Sequence, residues 1–113
     1  MKREQRLRSP ADFRRVRDVA PRGWPHRLLV LYIAPNELDR ARVGITVSGR
    51  VGGAVVRNKV RRRLREAVRA RYPRLQAGTD LVINARPGAS DVSFGDLCQA
   101  LDGLLERAGV LQT

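Results

Sequence analysis

The sequence is poor in the groups that protein catalysts use. It has one cysteine, Cys98, and one histidine, His26, in 113 residues. A lone cysteine excludes an internal disulfide and fits a reducing compartment, or indifference to redox state. Cys98 falls within an amphipathic helical pattern and reads as packing, not as a nucleophile. His26 ends the Pro-rich stretch PRGWPH and reads as a solvated loop residue. The acids are scattered, with neither paired nor metal-ligand spacing. No catalytic residue, no metal site and no cofactor are therefore expected on the protein itself. Aromatic residues make up only 4%, which limits how many bases could stack on rings. No apolar run approaches the length of a membrane span. The N-terminus, MKREQRLRSP, is basic but lacks the apolar stretch of a secretory signal. The expectation is a soluble cytoplasmic protein with no membrane partner.

Arginine is what the sequence has in excess. Lysine occurs only at Lys2 and Lys59, so nearly all of the 23 basic residues are arginine. Against 11 acids they leave a net charge of +12 and a pI near 11.6. Such a charge opposes compaction by self-repulsion and favours polyanions as partners. Arginine also offers planar bidentate contacts to phosphate and stacks on bases. A GC-rich genome or a hot habitat would account for scattered arginines, but not for a cluster. The remaining composition, 42% apolar and 30% charged, is that of a globular chain. Its length fits one domain spanning residues 1–113.

Periodicity and caps divide the chain. Ser9-Pro10-Ala11-Asp12 is a helix start, with Ser9 as N-cap and Pro10 at the first helical position. That helix should end near residues 18–20. Residues 21–26 read as a loop or short irregular strand. LLVLYIA (28–34) is a buried strand, and RVGITVS (42–48) is an alternating one. The two are expected to pair antiparallel across the polar loop NELDRA. A helical pattern runs from about Ala54 to Tyr72, a strand covers LVINAR (81–86), and Ser93 caps a last helix that Gly109 ends. The order predicts an α+β sandwich, with about three helices packed on a small mixed sheet.

The stretch GITVSGRVGGAVVRNKVRRRLREAVRARY concentrates the charge. Residues 57–71 hold eight basic residues and one acid, Glu66, a net of +7. At about 100° per residue, Val56, Val60, Leu64, Ala67 and Val68 form the buried arc. Arg61, Arg65 and Arg69 form a ridge beside it, with Asn58 and Arg62 alongside and Arg57 at the border. Lys59 and Arg63 point elsewhere. Like charges four residues apart cost a few tenths of a kcal/mol per pair. A structural helix would interleave acids, and only Glu66 is available here, for Arg62 or Arg69. The helix also lacks the bulky apolar face that membrane binding needs. Nucleic acid is the better partner, and the helix N-terminus after Gly52-Gly53 is a natural phosphate site. Three rivals are weaker. There is no GxGxxG or GK[ST] for a nucleotide-binding enzyme. There is no partner helix for a helix-turn-helix. A ribosomal protein or RNA chaperone would share the charge but not the motif described next.

RVGGAVVRNKVRRRLREAVR resembles the signature of the bacterial ribonuclease P protein component. The matching positions are Gly52, Ala54-Val55, Arg57-Asn58, Arg61-Arg62 and Arg65-Glu66. Asp12-Phe13, LVLY, RVGITVS and INARP fall in the expected order, so the resemblance spans nearly the whole chain. It implies an αβββαβα sandwich of the ribosomal protein S5 domain 2-like fold, with a left-handed βαβ crossover. It also implies the protein subunit of an endoribonuclease that removes the 5′ leader of precursor transfer RNA. The catalytic centre would be the RNA subunit with bound Mg²⁺ or other divalent ions, with one protein per RNA. Arg57, Asn58, Lys59, Arg61, Arg62, Arg65 and Arg69 would contact that RNA. Phe13, Arg17, Tyr32, Ser48 and Arg50 would line a cleft for the single-stranded leader, on the sheet face beside the first helix. Two positions depart from the family pattern. Arg17 stands where several members have a second aromatic. Gly49 and Arg50 stand where two lysines often follow the Val-Ser of the strand. Leader binding should therefore be more electrostatic and less dependent on stacking.

Overall fold

A strand that is apolar on both faces belongs in the middle of a sheet. Leu81, Val82, Ile83 and Ala85 are all buried, and they make up most of one strand. The computed structural model, which describes residues 1–112, places that strand (β4, Thr79–Ala85) centrally. It pairs antiparallel with β2 (Leu29–Pro35) and parallel with β3 (Arg42–Val47). The two-residue β1 (Trp24–Pro25) flanks β2, so the order is β1-β2-β4-β3.

This order corrects one expectation. β2 and β3 run in opposite directions but do not pair, because β4 lies between them. In register, Ile83 faces Leu31 on one side and Ile45 on the other. The loop between β2 and β3 is held open around Gly78, the residue before β4. The Asn36 amide donates to the Gly78 carbonyl (2.8 Å), and the Gly78 amide donates to the Arg40 carbonyl (3.2 Å). Gly78 has a φ of +80°, a conformation that glycine adopts without strain.

Helix α1 (Pro10–Val19) covers part of one sheet face, while α2 (Ala54–Arg71) and α3 (Phe94–Ala108) pack on the other. The order is αβββαβα, as the fold class requires, and β3–α2–β4 is the parallel crossover unit. Serine caps start α1 and α3. Ser9 Oγ accepts from the Ala11 amide (3.2 Å), and Ser93 Oγ from the Asp96 amide (3.0 Å). Gly109, at φ +70°, ends α3. The larger core lies under α2 and α3 and includes Leu29, Leu31, Leu64, Ile83, Leu101 and Leu104. A smaller one under α1 is built from Leu7, Val16, Tyr32, Ala34 and Val82. Each fully buried aliphatic side chain contributes roughly 1.5–3 kcal/mol, so the larger core supplies most of the cohesion. It also fixes α2 rigidly over β3.

Candidate nucleic-acid interface

The turn into α2 depends on one glycine more than the other. A side chain at Gly52 (φ +155°) would press against Val56, at 2.9 Å, whereas a side chain at Gly53 would meet nothing within 4 Å. Val56 was expected to be buried. Instead it is 38% exposed, in the first turn of α2 beside Gly52. Val55, at 84%, stands fully in solvent beside it. No side chain caps this end, so the first amides of α2 point outward unpaired by a cap.

From Val60 on, the buried stripe is the expected one: Val60, Leu64, Ala67 and Val68. The charged positions then divide by what they bond. Arg71 reaches α3, donating to Asp102 through Nε (2.5 Å) and Nη2 (3.1 Å). Arg63 is half-buried and donates to the Val92 carbonyl (3.1 Å). These two are structural. Arg69 takes Glu66, the helix's only acid, and their hydrogen bond lowers the Glu66 pKa and raises that of Arg69. Asn58 accepts from Arg61 (2.9 Å), which holds that guanidinium along the helix surface. Arg57, Lys59, Arg62 and Arg65 have no ion-pair partner among the described residues. Of these unrelieved cations, Arg57, Arg62 and Arg65 lie on the ridge side of the helix and Lys59 on the remaining side, with the free N-terminal amides at the helix start.

On the opposite sheet face, Asp80 anchors α1. It is a wholly buried carboxylate, at 0% exposure. Arg42 donates to both of its oxygens (2.9 and 2.7 Å), Asn36 donates to one (2.7 Å), and Arg15 of α1 donates to the other. Arg42 also pairs with Asp12 of α1 at 3.5 Å. Burial pushes the Asp80 carboxyl up, but the bonds from Arg42 and Asn36, with the charges of Arg42 and Arg15, outweigh it and hold the pKa below its ordinary value. The helix is therefore tied to the sheet through both Asp12 and Arg15.

Beyond α1 this face stays open. Val30, Asn84 and Thr46 lie side by side across β2, β4 and β3, all half-buried, with Thr46 Oγ1 and Asn84 Oδ1 at 2.9 Å. Ser48 and Arg50 follow Thr46 and are exposed. Tyr32 is only 7% exposed, and the Arg17 guanidinium sits 4.3 Å from its ring centroid, between the ring and solvent. Phe13 is half-buried and faces another way. Its ring lies on Gly44, where any side chain would overlap it, and it lines a recess of about 260 Å³ with Arg6, Arg8 and Arg65. The leader candidates thus share one face without forming a single pocket: Arg17 covers Tyr32, and Phe13 turns toward the β3 edge. Sequence reasoning missed Thr46 and Asn84 as part of this open strip. The signal was present, since strand alternation puts Thr46 on the face of Gly44 and Ser48.

Together these features define a class. This is a small α+β domain with unpaired positive charge concentrated along one helix and an open, half-polar sheet face behind it. The Ribonuclease P family profile matches residues 1–109, and the chain belongs to that family. It is 47% identical to the ribonuclease P protein component of Roseiflexus castenholzii, over 99% of this chain and 92% of that one. It is also similar in fold to a Staphylococcus aureus RNase P protein mutant with defective mRNA degradation activity. That similarity has a TM-score of 0.88 at 31% identity, over 96% of this chain and 91% of the other. For the RNase P protein from Thermotoga maritima the TM-score is 0.80 at 30% identity, over 90% and 96%. Among the described residues no helix is long and apolar enough to cross a membrane, and no three His, Cys, Asp or Glu side chains group to hold a metal ion.

Proposed function

We propose that this protein docks on the catalytic RNA of ribonuclease P through α2, and guides the 5′ leader of precursor transfer RNA across the open sheet face beside α1. The observation that carries this reading is the set of unrelieved cations on α2. Arg57, Lys59, Arg62 and Arg65 repel one another, and no acid among the described residues pairs with them. Phosphates of a folded RNA would relieve that repulsion and release counterions. Arg61, held by Asn58, and Arg69 extend the ridge along the helix.

The leader side works differently. A single strand exposes its bases and sugar hydroxyls, and these suit the Thr46–Asn84 pair, Ser48 and the Arg17 guanidinium over Tyr32. Arg50 adds a phosphate contact at the end of the strip. On this reading the hydrolytic chemistry would fall to the RNA and the divalent ions it would hold, which would supply Lewis-acid catalysis. The protein's part is to neutralise phosphate repulsion and to hold the leader in line. It acts as a single domain, one copy per RNA, in the cytoplasm.

The test is cleavage of precursor transfer RNA by a bacterial ribonuclease P RNA at low Mg²⁺, with and without the protein. The wild type should restore cleavage, and Arg57→Ala/Arg61→Ala/Arg65→Ala should not. If both proteins restore it, the role given to α2 is wrong. If neither does, while the folded wild type still binds RNA, a general RNA-binding protein is the better description.

A further inference from the structure

The positive surface does not end with α2. The recess beside Phe13 is shared between Arg65 of α2 and Arg6 and Arg8 of the N-terminal arm. Arg6 and Arg8 also line a second recess, of about 350 Å³, with Arg3 and Arg40. The two openings are therefore adjacent, and arginines run from α2 around the β3 edge to the start of α1. Two carboxylates reach the second recess. Asp12 is already engaged by Arg42, and Glu4 alone is free.

The arm that carries these arginines is folded against the sheet. Arg6 bridges Val43 in parallel register, and the Leu7 amide donates to the Val43 carbonyl (3.0 Å). Leu7 is buried in the α1 core. Arg40 Nε donates to the Glu4 carbonyl (2.8 Å) and ties the arm from its other side. Yet the guanidinium groups of Arg3, Arg6 and Arg8 make no hydrogen bond or ion pair among the described residues, and all three side chains are exposed. A backbone clamped at several points that presents unbonded guanidiniums has already met the backbone part of the ordering cost of binding.

We propose that Arg3, Arg6 and Arg8 form a second phosphate-binding element, continuous with α2 through Arg65, that grips an RNA backbone. This inference rests on the reading of α2 as an RNA-docking helix. The shared chemistry is the phosphodiester backbone, whose source is either the catalytic RNA or the precursor substrate.

The experiment compares Arg3→Ala/Arg6→Ala/Arg8→Ala with two other triple variants of the full chain. One is the α2 variant named above. The other, Arg14→Ala/Arg22→Ala/Arg27→Ala, removes the same charge from exposed positions that line neither recess. Thermal unfolding first confirms that each is folded. Affinity for ribonuclease P RNA is then measured across a salt series, followed by affinity of the assembled enzyme for precursor transfer RNA. The arm variant should bind one RNA about tenfold or more weakly, and its log–log salt slope should fall by about 2–3. Loss with the RNA alone identifies the catalytic RNA as the source, and loss only with the assembled enzyme identifies the precursor. The proposal is overturned if the arm variant binds both like wild type, or loses no more than the charge-matched control. A normal α2 variant would instead sink the reading of α2, and leave the arm to be judged by its own result.

Discussion

Asp80→Asn tests how α1 is held. The substitution keeps the shape of the side chain and removes its charge. The native carboxylate accepts two bonds from Arg42, one from Asn36 and one from Arg15. An asparagine would turn one acceptor into an NH₂ facing guanidinium or amide donors, and would leave Arg15 without its counter-ion and Arg42 with Asp12 alone. Breaking a buried ion pair costs about 3–5 kcal/mol. Here the side chains of Arg15 and Arg42 keep 38% and 20% of their exposure, so water recovers part of that. The expected loss is about 2–4 kcal/mol. At about 2.1 cal/mol/K per residue, a chain of 113 residues shifts its Tm by about 4 °C per kcal/mol. The Tm at pH 7 should therefore fall by about 8–16 °C. Urea unfolding should show the same loss with an unchanged slope. Arg15→Ala should cost less, because Arg42 and Asn36 still satisfy the carboxylate. A loss below about 1 kcal/mol for Asp80→Asn, or a larger one for Arg15→Ala, would refute the account of Asp80 as the point where α1 is tied down.

The same group sets an acid dependence. Its folded pKa is lowered, so its contribution is complete above the unfolded value of about 3.9 and is lost as pH falls through the folded one. Asp102, lowered by its hydrogen bond from Arg71, adds in the same direction. Urea midpoints of the wild type should drop from about pH 5 downward. They should drop less steeply in Asp80→Asn, and parallel curves would contradict the assignment. Gly44→Ala should lower the Tm by an amount equivalent to about 1–3 kcal/mol, since the new methyl overlaps the Phe13 ring and crowds Leu7. An unchanged Tm would mean the ring is free to swing away. Arg17→Ala should weaken binding of a substrate with a leader about two- to fivefold, from the loss of one exposed guanidinium contact to the leader of about 0.5–1 kcal/mol. It should leave a leaderless substrate unaffected, and equal effects on both would place Arg17 outside the leader path.

The local elements were legible because local chemistry makes them. Ser9 with Pro10 and Ser93 with Gly109 bracket their helices as caps should, and the stripe from Val60 to Val68 is where a 3.6-residue period puts it. What escaped were the strand order and the partners of Asp80. β2 and β3 are neighbours in sequence with a short loop between them, so pairing was the natural expectation. The contrary signal lay in β4, whose unbroken Leu81-Val82-Ile83 asks for cover on both faces and hence for a central place. Asp80 looked like one scattered acid among several. Its partners stand 38, 44 and 65 residues away, and no spacing rule links them. The α2 ridge was visible as charge, but not which charges were already spent. Arg71 and Arg63 count toward the +7 in sequence and are structural in the fold.

The chain's charge is also divided along its length, and the fold turns that division into a direction. From Pro87 on, the sequence has Asp91, Asp96, Asp102 and Glu106 against Arg107 alone, a net of −3, while the first 86 residues carry +15. α3 holds three of those acids and packs toward β1 and β2. α2 packs toward β3, whose outer edge the arginine-rich arm also occupies. The β1 side is therefore the less basic one, where Arg22, Arg27 and Arg107 stand beside the acids of α3, while α2 and the arm make the β3 side strongly basic. A polyanion is drawn more strongly to the β3 side. At about 8–10 Å, the screening length at physiological salt is well below the 36 × 30 × 27 Å extents of the fold, so the two flanks act independently at contact. Orientation is then decided in the last Debye length of approach. Excess charge alone would make the protein adhesive in every direction; charge weighted by the fold toward β3 favours approach of a polyanion from that side.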